Sequence, residues 1–368
     1  MRQLPKTMQA FVLHEHGGLD ALRHHLDWPM PQVGPTDELI RVGACGLNNT
    51  DVNTRTGWYS KTVTGATDGG GAQARDDADP TWGGAPIGLP RIQGADVVGH
   101  VVAVGAQADV SLIGKRVLTD NWLRDWDDPL NKDKTGYYGS EHDGGFAQYA
   151  TTHFRNVGVI DSPLSDAELA TFSCSYTTAE GMLERTQVGA DDRVLITGAS
   201  GGVGSALIQL AKRRGATVIA LASAPKHDLI RDLGADVVLD RAPDDLANAL
   251  DAATGHTDVT VVCDVVGGDY WPTLIDAMAR GGRYACSGAI AGPMVNLDLR
   301  TLYLRDLTFH GSTVLAPAIF TNLIGYIERG EIKPLLAKTY PLADLHAAQT
   351  AFIEKAHVGN IVVIPDAD

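Results

Sequence analysis

The segment RVLITGASGGVGSALIQLAKRRG, residues 193–215, has three parts. Residues 193–197 form a short aliphatic run of the kind a buried strand requires. Gly198-Ala199-Ser200-Gly201-Gly202-Val203-Gly204 is a glycine-rich turn. Val203, Ala206, Leu207, Leu210 and Ala211 then recur at helical spacing, and Gly215 ends the helix. Gly201 and Gly202 allow backbone to approach a pyrophosphate closely. Gly204 lets the helix pack on the strand, and the helix N-terminus presents free N–H groups and a positive dipole end to phosphates. Ala199 stands where the first glycine of G-x-G-x-x-G usually stands, so the glycines alone also fit a purely structural turn. The flanking strand and helix are what point to a dinucleotide.

The same rhythm continues downstream. Residues 217–222 read as the next strand. Pro225 opens a second helix with Leu229, Ile230 and Leu233 facing inward, and Gly234 closes it. Residues 237–239, 259–263, 283–287 and 307–310 supply further strands. Alternating strands and helices predict an α/β domain with a doubly wound parallel sheet. Enzymes that take NAD place an acid about 20 residues on, at the end of the second strand, to bind the ribose 2′-hydroxyl. Here that end reads Leu221-Ala222-Ser223-Ala224-Pro225-Lys226, with no acid. Ser223 and Lys226 suit a 2′-phosphate, so the expected cofactor is NADPH; the plainer reading of Lys226 is an ordinary surface lysine.

Upstream, residues 8–14, 38–45 and 96–104 read as strands punctuated by Gly, Pro and Asp, which suits a compact β-barrel domain. Residues 60–91 carry Gly69-Gly70-Gly71, Asp76-Asp77 and Gly83-Gly84 without any period. A loop this long is a lid, a binding loop or a solvated insertion. Residues 121–145 form a second polar excursion whose Trp122, Trp126, Tyr137 and Tyr138 call for something to pack against.

A chain of 368 residues exceeds one ordinary core, so two domains are expected. The net charge of −15 repels phosphate backbones and argues against nucleic acid and anionic membranes as partners. Cys45, Cys174, Cys263 and Cys286 form no C-x-x-C pair and read as reduced, buried thiols. No signal-like or membrane-length apolar run occurs, which fits a soluble cytoplasmic protein.

Five stretches, taken together, resemble the quinone oxidoreductase branch of the medium-chain dehydrogenase/reductase superfamily. They are A-C-G-L-N-N-T-D at 44–51 with R-T-G-W-Y at 55–59, G-A-D-V-V-G at 94–99, A-S-G-G-V-G at 199–204, D-V-V-G-G at 264–268 and H-V-G-N-I-V at 357–362. The resemblance implies a GroES-like catalytic domain at residues 1–165, completed by 316–368, and a Rossmann cofactor domain at 166–315, with the substrate cleft between them. It also implies that Thr178 lies under the nicotinamide, that Ser287, Gly288 and Ala289 hold the carboxamide, and that Val265, Val266 and Asn360 face the cofactor. A local cap at a helix start is the other reading of Thr178.

The zinc alcohol dehydrogenases of that superfamily bind metal at the positions of Asn48, Ala95 and Cys174. Only the last can ligate here, whereas a catalytic zinc takes three protein ligands and a water. Residues 121–145 also lack the cysteines of a structural zinc site. No metal is therefore expected, and Cys174 reads as packing. Without a Lewis acid, alcohol oxidation is disfavoured and reduction of a double bond conjugated to a carbonyl stays feasible. The enolate that develops needs hydrogen-bond donors, and Asn48 and Tyr59 are the candidates, Tyr59 being equally an aromatic wall. Asp51 reads as a backbone strut or, less simply, as part of the catalytic set. The expected function is an NADPH-dependent reductase of quinones or enones. An enoyl-thioester reductase and a non-catalytic dinucleotide-binding protein are the alternatives. A homodimer through the sheet edge near residues 306–312 is expected, because an open edge carrying Leu307 and Phe309 needs cover.

Overall fold

In the structure, a computed structural model, residues 4–67 and 87–366 are described. Six parallel strands form one sheet in the spatial order Val237–Asp240, Thr217–Ala222, Arg193–Ile196, Val259–Asp264, Met278–Cys286, Thr308–Gly311. The chain order reverses between Arg193–Ile196 and Val259–Asp264. A crevice opens at such a switch point, beyond the carboxyl ends of the strands. The strands are apolar on both faces because helices cover both. Helix Gly202–Arg213 buries Ala206, Leu207, Leu210 and Ala211 on one side, and Leu195, Val262 and Trp271 share a core on the other.

The second large sheet is assembled from distant parts of the chain. Its order is Val157–Val159, Arg116–Thr119, Asp96–Val104, Asp37–Gly46, Asn360–Ile364, Leu336–Pro341, with Tyr149–His153 also pairing onto Asp37–Gly46. The C-terminal strand Asn360–Ile364 thus pairs antiparallel with the N-terminal Asp37–Gly46, Val362 opposite Gly46. Phe11, Leu39, Ile40, Val97 and Ile361 close its core.

Two expectations change. The helix expected to begin at Pro225 is a 3₁₀ turn, Ala224–Lys226, followed by helix His227–Asp232. Ile230 is fully buried on it, but Leu229 is 55% exposed because the adjacent position points about 100° away on so short a helix. At the sheet edge, Leu307 and Phe309 pack inward with Trp271 and Tyr284. In the segment leading to that edge strand, Met294, Val295, Leu299, Tyr303 and Leu304 are exposed.

The excursion at 121–145 is tied down by a two-stranded ribbon, Trp122–Leu123 with Gly136–Tyr137, and Trp122, Tyr137 and Tyr138 are buried. Of the insert, Ser60–Thr67 and Ile87–Arg91 are described, and the Thr67 amide donates to the Ile290 carbonyl at 2.9 Å across the crevice. Gly69 to Gly71, Asp76, Asp77, Gly83 and Gly84 lie outside the described residues.

Candidate active site

Where the two sheets meet, a cavity of about 400 Å³ runs from the glycine turn to an aromatic end. At one end lie Gly198, Gly201, Gly202, Val203 and Gly204. The middle is lined by Thr178, Val265, Ser287, Gly288 and Ala289, and the far end by Asn48, Trp58, Tyr59, Trp122, Tyr137 and Cys174.

The glycine end is shaped by backbone that side chains would obstruct. Gly198 has φ +58°, and a Cβ on Gly204 would sit 2.2 Å from the Gly198 carbonyl oxygen. A Cβ on Gly202 would strike Ser175 Oγ at 2.3 Å and the Asn360 amide. The first N–H groups of the 12-residue helix Gly202–Arg213 therefore face the cavity unobstructed. Asn360 lines the same cavity and donates to Ser175 Oγ at 3.0 Å, while its buried Oδ1 has no partner among the described residues. A bare helix terminus with an orphaned acceptor beside it fits a dinucleotide. Ala199 is an exception to the expectation: it is fully buried beneath Gly204 and lines nothing, so Gly198 supplies the conformational freedom instead. Ser200 also turns away from the cavity, and its carbonyl accepts from the Gly359 amide at 2.9 Å.

The loop that carries Val265 hangs on a buried carboxylate. Asp264 accepts from Thr197 Oγ1 at 2.5 Å, Val266 N at 2.8 Å, Gly267 N at 3.2 Å and the Tyr284 hydroxyl at 2.8 Å. Val265 lines the cavity and Val266 packs behind it. Four hydrogen bonds on one carboxylate hold this turn rigid beside the cofactor path.

At the second-strand end, Ser223 is exposed, and Lys226 Nζ donates to the carbonyls of Lys355 (2.7 Å) and His357 (2.9 Å) and lies 3.4 Å from Ser200 Oγ. The lysine thus bridges the glycine turn and the C-terminal segment. Arg241 adds a second cation nearby, and burial together with that repulsion lowers the Lys226 pKa. Sequence reading missed Arg241, and it missed Asp240, which the parallel register sets opposite Ala222.

The aromatic end is organised by Asp96, buried and fully enclosed. Its Oδ2 accepts from Asn48 Nδ2 at 3.0 Å; its Oδ1 accepts from Asn121 Nδ2 at 2.7 Å and from the Cys174 amide at 2.8 Å. Burial raises its pKa to about 6 against these hydrogen bonds. Asn48 is therefore held by the carboxylate, with an amide hydrogen already spent. Asp51 does not line the cavity. Its oxygens accept from Asn48 N at 2.7 Å and Gly94 N at 3.2 Å, so it is a strut at the start of helix Asn49–Thr56, pushed up to about 7 by burial. The catalytic role considered for Asp51 gives way to this backbone role, since both oxygens face main chain. Tyr59 does line the cavity; burial holds its phenol well above the usual value, and Asn53 hydrogen-bonds it. Asn48 and Cys174 reach the same cavity and Ala95 packs beside Cys174. Among the described residues no group of three or more His, Cys, Asp or Glu could hold a metal ion.

The described lining of this cavity includes no Asp, Glu, Lys, Arg or His. Trp122 and Tyr137, which the sequence marked only as aromatics needing a contact, form one wall with their rings 5.0 Å apart.

Comparison with known proteins places this arrangement in a family. Residues 34–162 match the alcohol dehydrogenase GroES-like domain and residues 202–329 the zinc-binding dehydrogenase domain. A crystal structure from Sinorhizobium meliloti 1021, provisionally named an alcohol dehydrogenase, superposes with a TM-score of 0.89 at 44% identity, covering 100% of this chain and 99% of that one. The NADPH-dependent alkenal/one oxidoreductase of Arabidopsis thaliana chloroplasts is 27% identical over 98% of this chain and 81% of its own. The NAD-dependent alcohol dehydrogenase of Sulfolobus acidocaldarius is 25% identical, covering 93% and 95%. The quinone oxidoreductase of Pseudomonas aeruginosa is also 25% identical, covering 95% and 97%. The chain belongs to the medium-chain dehydrogenase/reductase superfamily, with a GroES-like domain and a Rossmann-type domain. It is an oxidoreductase of the dinucleotide-binding kind. No helix among the described residues is long and apolar enough to cross a membrane.

Proposed function

We propose that this protein is a zinc-independent, NADPH-dependent reductase of small uncharged acceptors, either quinones or α,β-unsaturated carbonyls. The observation that carries the reading is the aromatic-walled far end of the cavity, whose described lining is uncharged and continuous with the glycine turn. A carboxylate or phosphate on the acceptor would enter there without a counter-charge, which costs several kcal/mol in a buried setting. A flat conjugated carbonyl gains from stacking and loses little. A thioester with a nucleotide handle would need cations at the cleft mouth; among the described residues Lys226 and Arg241 lie by the glycine turn, and Lys61 follows closely after Tyr59 at the far end.

NADPH would be held by the N–H groups of Gly201 to Gly204, by Asn360, by Ser287 to Ala289 and, at its 2′-phosphate, by Ser223, Lys226 and Arg241. When bound it supplies a hydride. Thr178 and Val265 line the stretch that would orient the reduced ring, and Trp58, Tyr59 and Trp122 would exclude water from the acceptor. Zinc independence follows from the donor set: of Asn48, Ala95 and Cys174 only the thiol is a metal ligand. The names of the alkenal and quinone oxidoreductases agree with this reading; those of the alcohol dehydrogenases mark the competing one.

The test is cofactor oxidation across quinones, enones, enoyl thioesters and aldehydes, together with alcohol oxidation in the reverse direction. Turnover of enones or quinones with NADPH is expected. Efficient oxidation of simple alcohols with no reaction on enones or quinones would defeat the proposal.

A further inference from the structure

We infer that the Tyr137 hydroxyl is the hydrogen-bond donor that receives the negative charge developing on the acceptor's carbonyl oxygen. This rests on the reductase reading above.

The inference follows from tracing where the hydrogens point. The Cys174 backbone N–H can only donate, so Asp96 Oδ1, 2.8 Å away, is an acceptor. Asn121 therefore presents its amide nitrogen to that oxygen at 2.7 Å, and the same nitrogen lies 3.3 Å from the Tyr137 oxygen. The Tyr137 oxygen is thus an acceptor on its Asn121 side, and its own hydrogen must point elsewhere. It points to Cys174 Sγ at 3.0 Å, on the cavity side. A thiol sulfur is a weak acceptor. An enolate oxygen is a far stronger one, so the phenol exchanges a poor partner for a charged one as the reaction proceeds. Such a bond is stronger in the transition state than in the ground state, which is what accelerates a step.

The other candidates are less suited. Asn48 has an amide hydrogen committed to Asp96. Tyr59 is likewise hydrogen-bonded by Asn53, so what sets Tyr137 apart is the Asp96 carboxylate that anchors its Asn121. Tyr137 is backed by a three-residue relay, Asp96 to Asn121 to Tyr137, that fixes the ring oxygen without using its hydrogen. Burial also keeps the phenol protonated, so it serves as a donor rather than a base. The position follows from the fold. The ribbon Trp122–Leu123 with Gly136–Tyr137 delivers the ring to the cavity end opposite the glycine turn, beside Cys174, whose sulfur also meets Thr178.

In the step itself, the acceptor's β-carbon gains the hydride and its two electrons from the reduced cofactor, which is oxidised. The conjugated π bond shifts to give an enolate whose oxygen accepts from Tyr137. A proton from water then adds at the α-carbon and the carbonyl re-forms. Tyr137 retains its own proton throughout.

The test compares wild type with Tyr137→Phe, using NADPH with 2-cyclohexen-1-one and 1,4-benzoquinone. Loss of one such donor is worth about 10²- to 10³-fold in kcat. The expected result is a fall in kcat of roughly that size for the enone, with KM and the NADPH dissociation constant within about twofold. A wild type inactive on both acceptors overturns the reductase reading, and this inference with it. An active wild type whose variant keeps kcat within about tenfold overturns this inference alone, as does a variant that loses NADPH binding in step with activity. Thermal denaturation shows whether the variant folds. If it does not, a fluorinated tyrosine placed at 137 keeps ring and hydroxyl while making the phenol a stronger hydrogen-bond donor. The enone kcat should then change with KM and the NADPH dissociation constant within about twofold, and a kcat the same as wild type overturns the inference.

Discussion

Replacing Glu38 with glutamine should remove a large, pH-dependent handicap to folding. Glu38 lies in strand Asp37–Gly46 and is fully buried between Val104 and Thr152 on the neighbouring strands. Neither of its carboxyl oxygens, nor Thr152 Oγ1, has a hydrogen-bond partner among the described residues. Burial alone raises its pKa from the ordinary 4.5 to about 8. The folded protein therefore holds this proton until about pH 8, while the unfolded chain releases it near 4.5. The stability associated with the group is fully present below 4.5, declines as pH rises from 4.5 to 8 and is level above that. The slope is about 1.4 kcal/mol per pH unit and the full span at most about 5 kcal/mol. Glutamine has the same shape and no proton to lose. Asp51, Asp96 and Asp120 are also raised by burial and add slopes of their own, but these occur in both proteins and cancel in the difference. Urea denaturation of wild type and Glu38→Gln from pH 5 to 9 is the assay. The stability gap should move in favour of the glutamine protein by about 1.4 kcal/mol per unit up to pH 8 and then level off. A gap that stays constant with pH would show that Glu38 ionises normally in the folded protein.

Three further outcomes are expected. Lys226→Ala should weaken NADPH roughly ten- to a hundredfold, as loss of a charged hydrogen bond does. Because Lys226 also pins the carbonyls of Lys355 and His357, NADH loses some affinity too, so the ratio of the two dissociation constants is the readout; an equal loss for both would remove Lys226 from the phosphate site. Elemental analysis of the purified protein should find no stoichiometric zinc, and activity should survive chelation; one zinc per chain lost together with activity would reverse this. Light scattering at micromolar concentration should give twice the chain mass, with the edge strand Thr308–Gly311 and the exposed Met294, Leu299, Tyr303 and Leu304 that precede it in the chain covered in a two-fold pairing. Tyr303→Asp should then shift the mass to that of one chain, and a wild-type monomer would contradict the pairing.

Local patterns sufficed for the opening strand, turn and helix of the cofactor half of the molecule. Residues 193–215 announce strand, turn and helix because each signal is a near-neighbour effect: aliphatic run, glycine, helical spacing. The missing acid at Ser223 and the missing metal ligands at Asn48 and Ala95 were equally plain, since an absent side chain is visible in one dimension. What the chain order could not reveal depends on contacts between residues far apart in it. Asp96 meets Asn48, Asn121 and Cys174 only after the second sheet closes, and that closure gives Asp51 its second backbone partner, Gly94, and turns Tyr137 to the cavity. Lys226 looked like a free cation until the C-terminal segment folded back to offer it two carbonyls. Glu38 shows the division most simply. Nothing in its neighbours Asp37 and Leu39 marks it, and its altered acidity arises because strands from residues 96–104 and 149–153 enclose it and exclude the water that would solvate its charge.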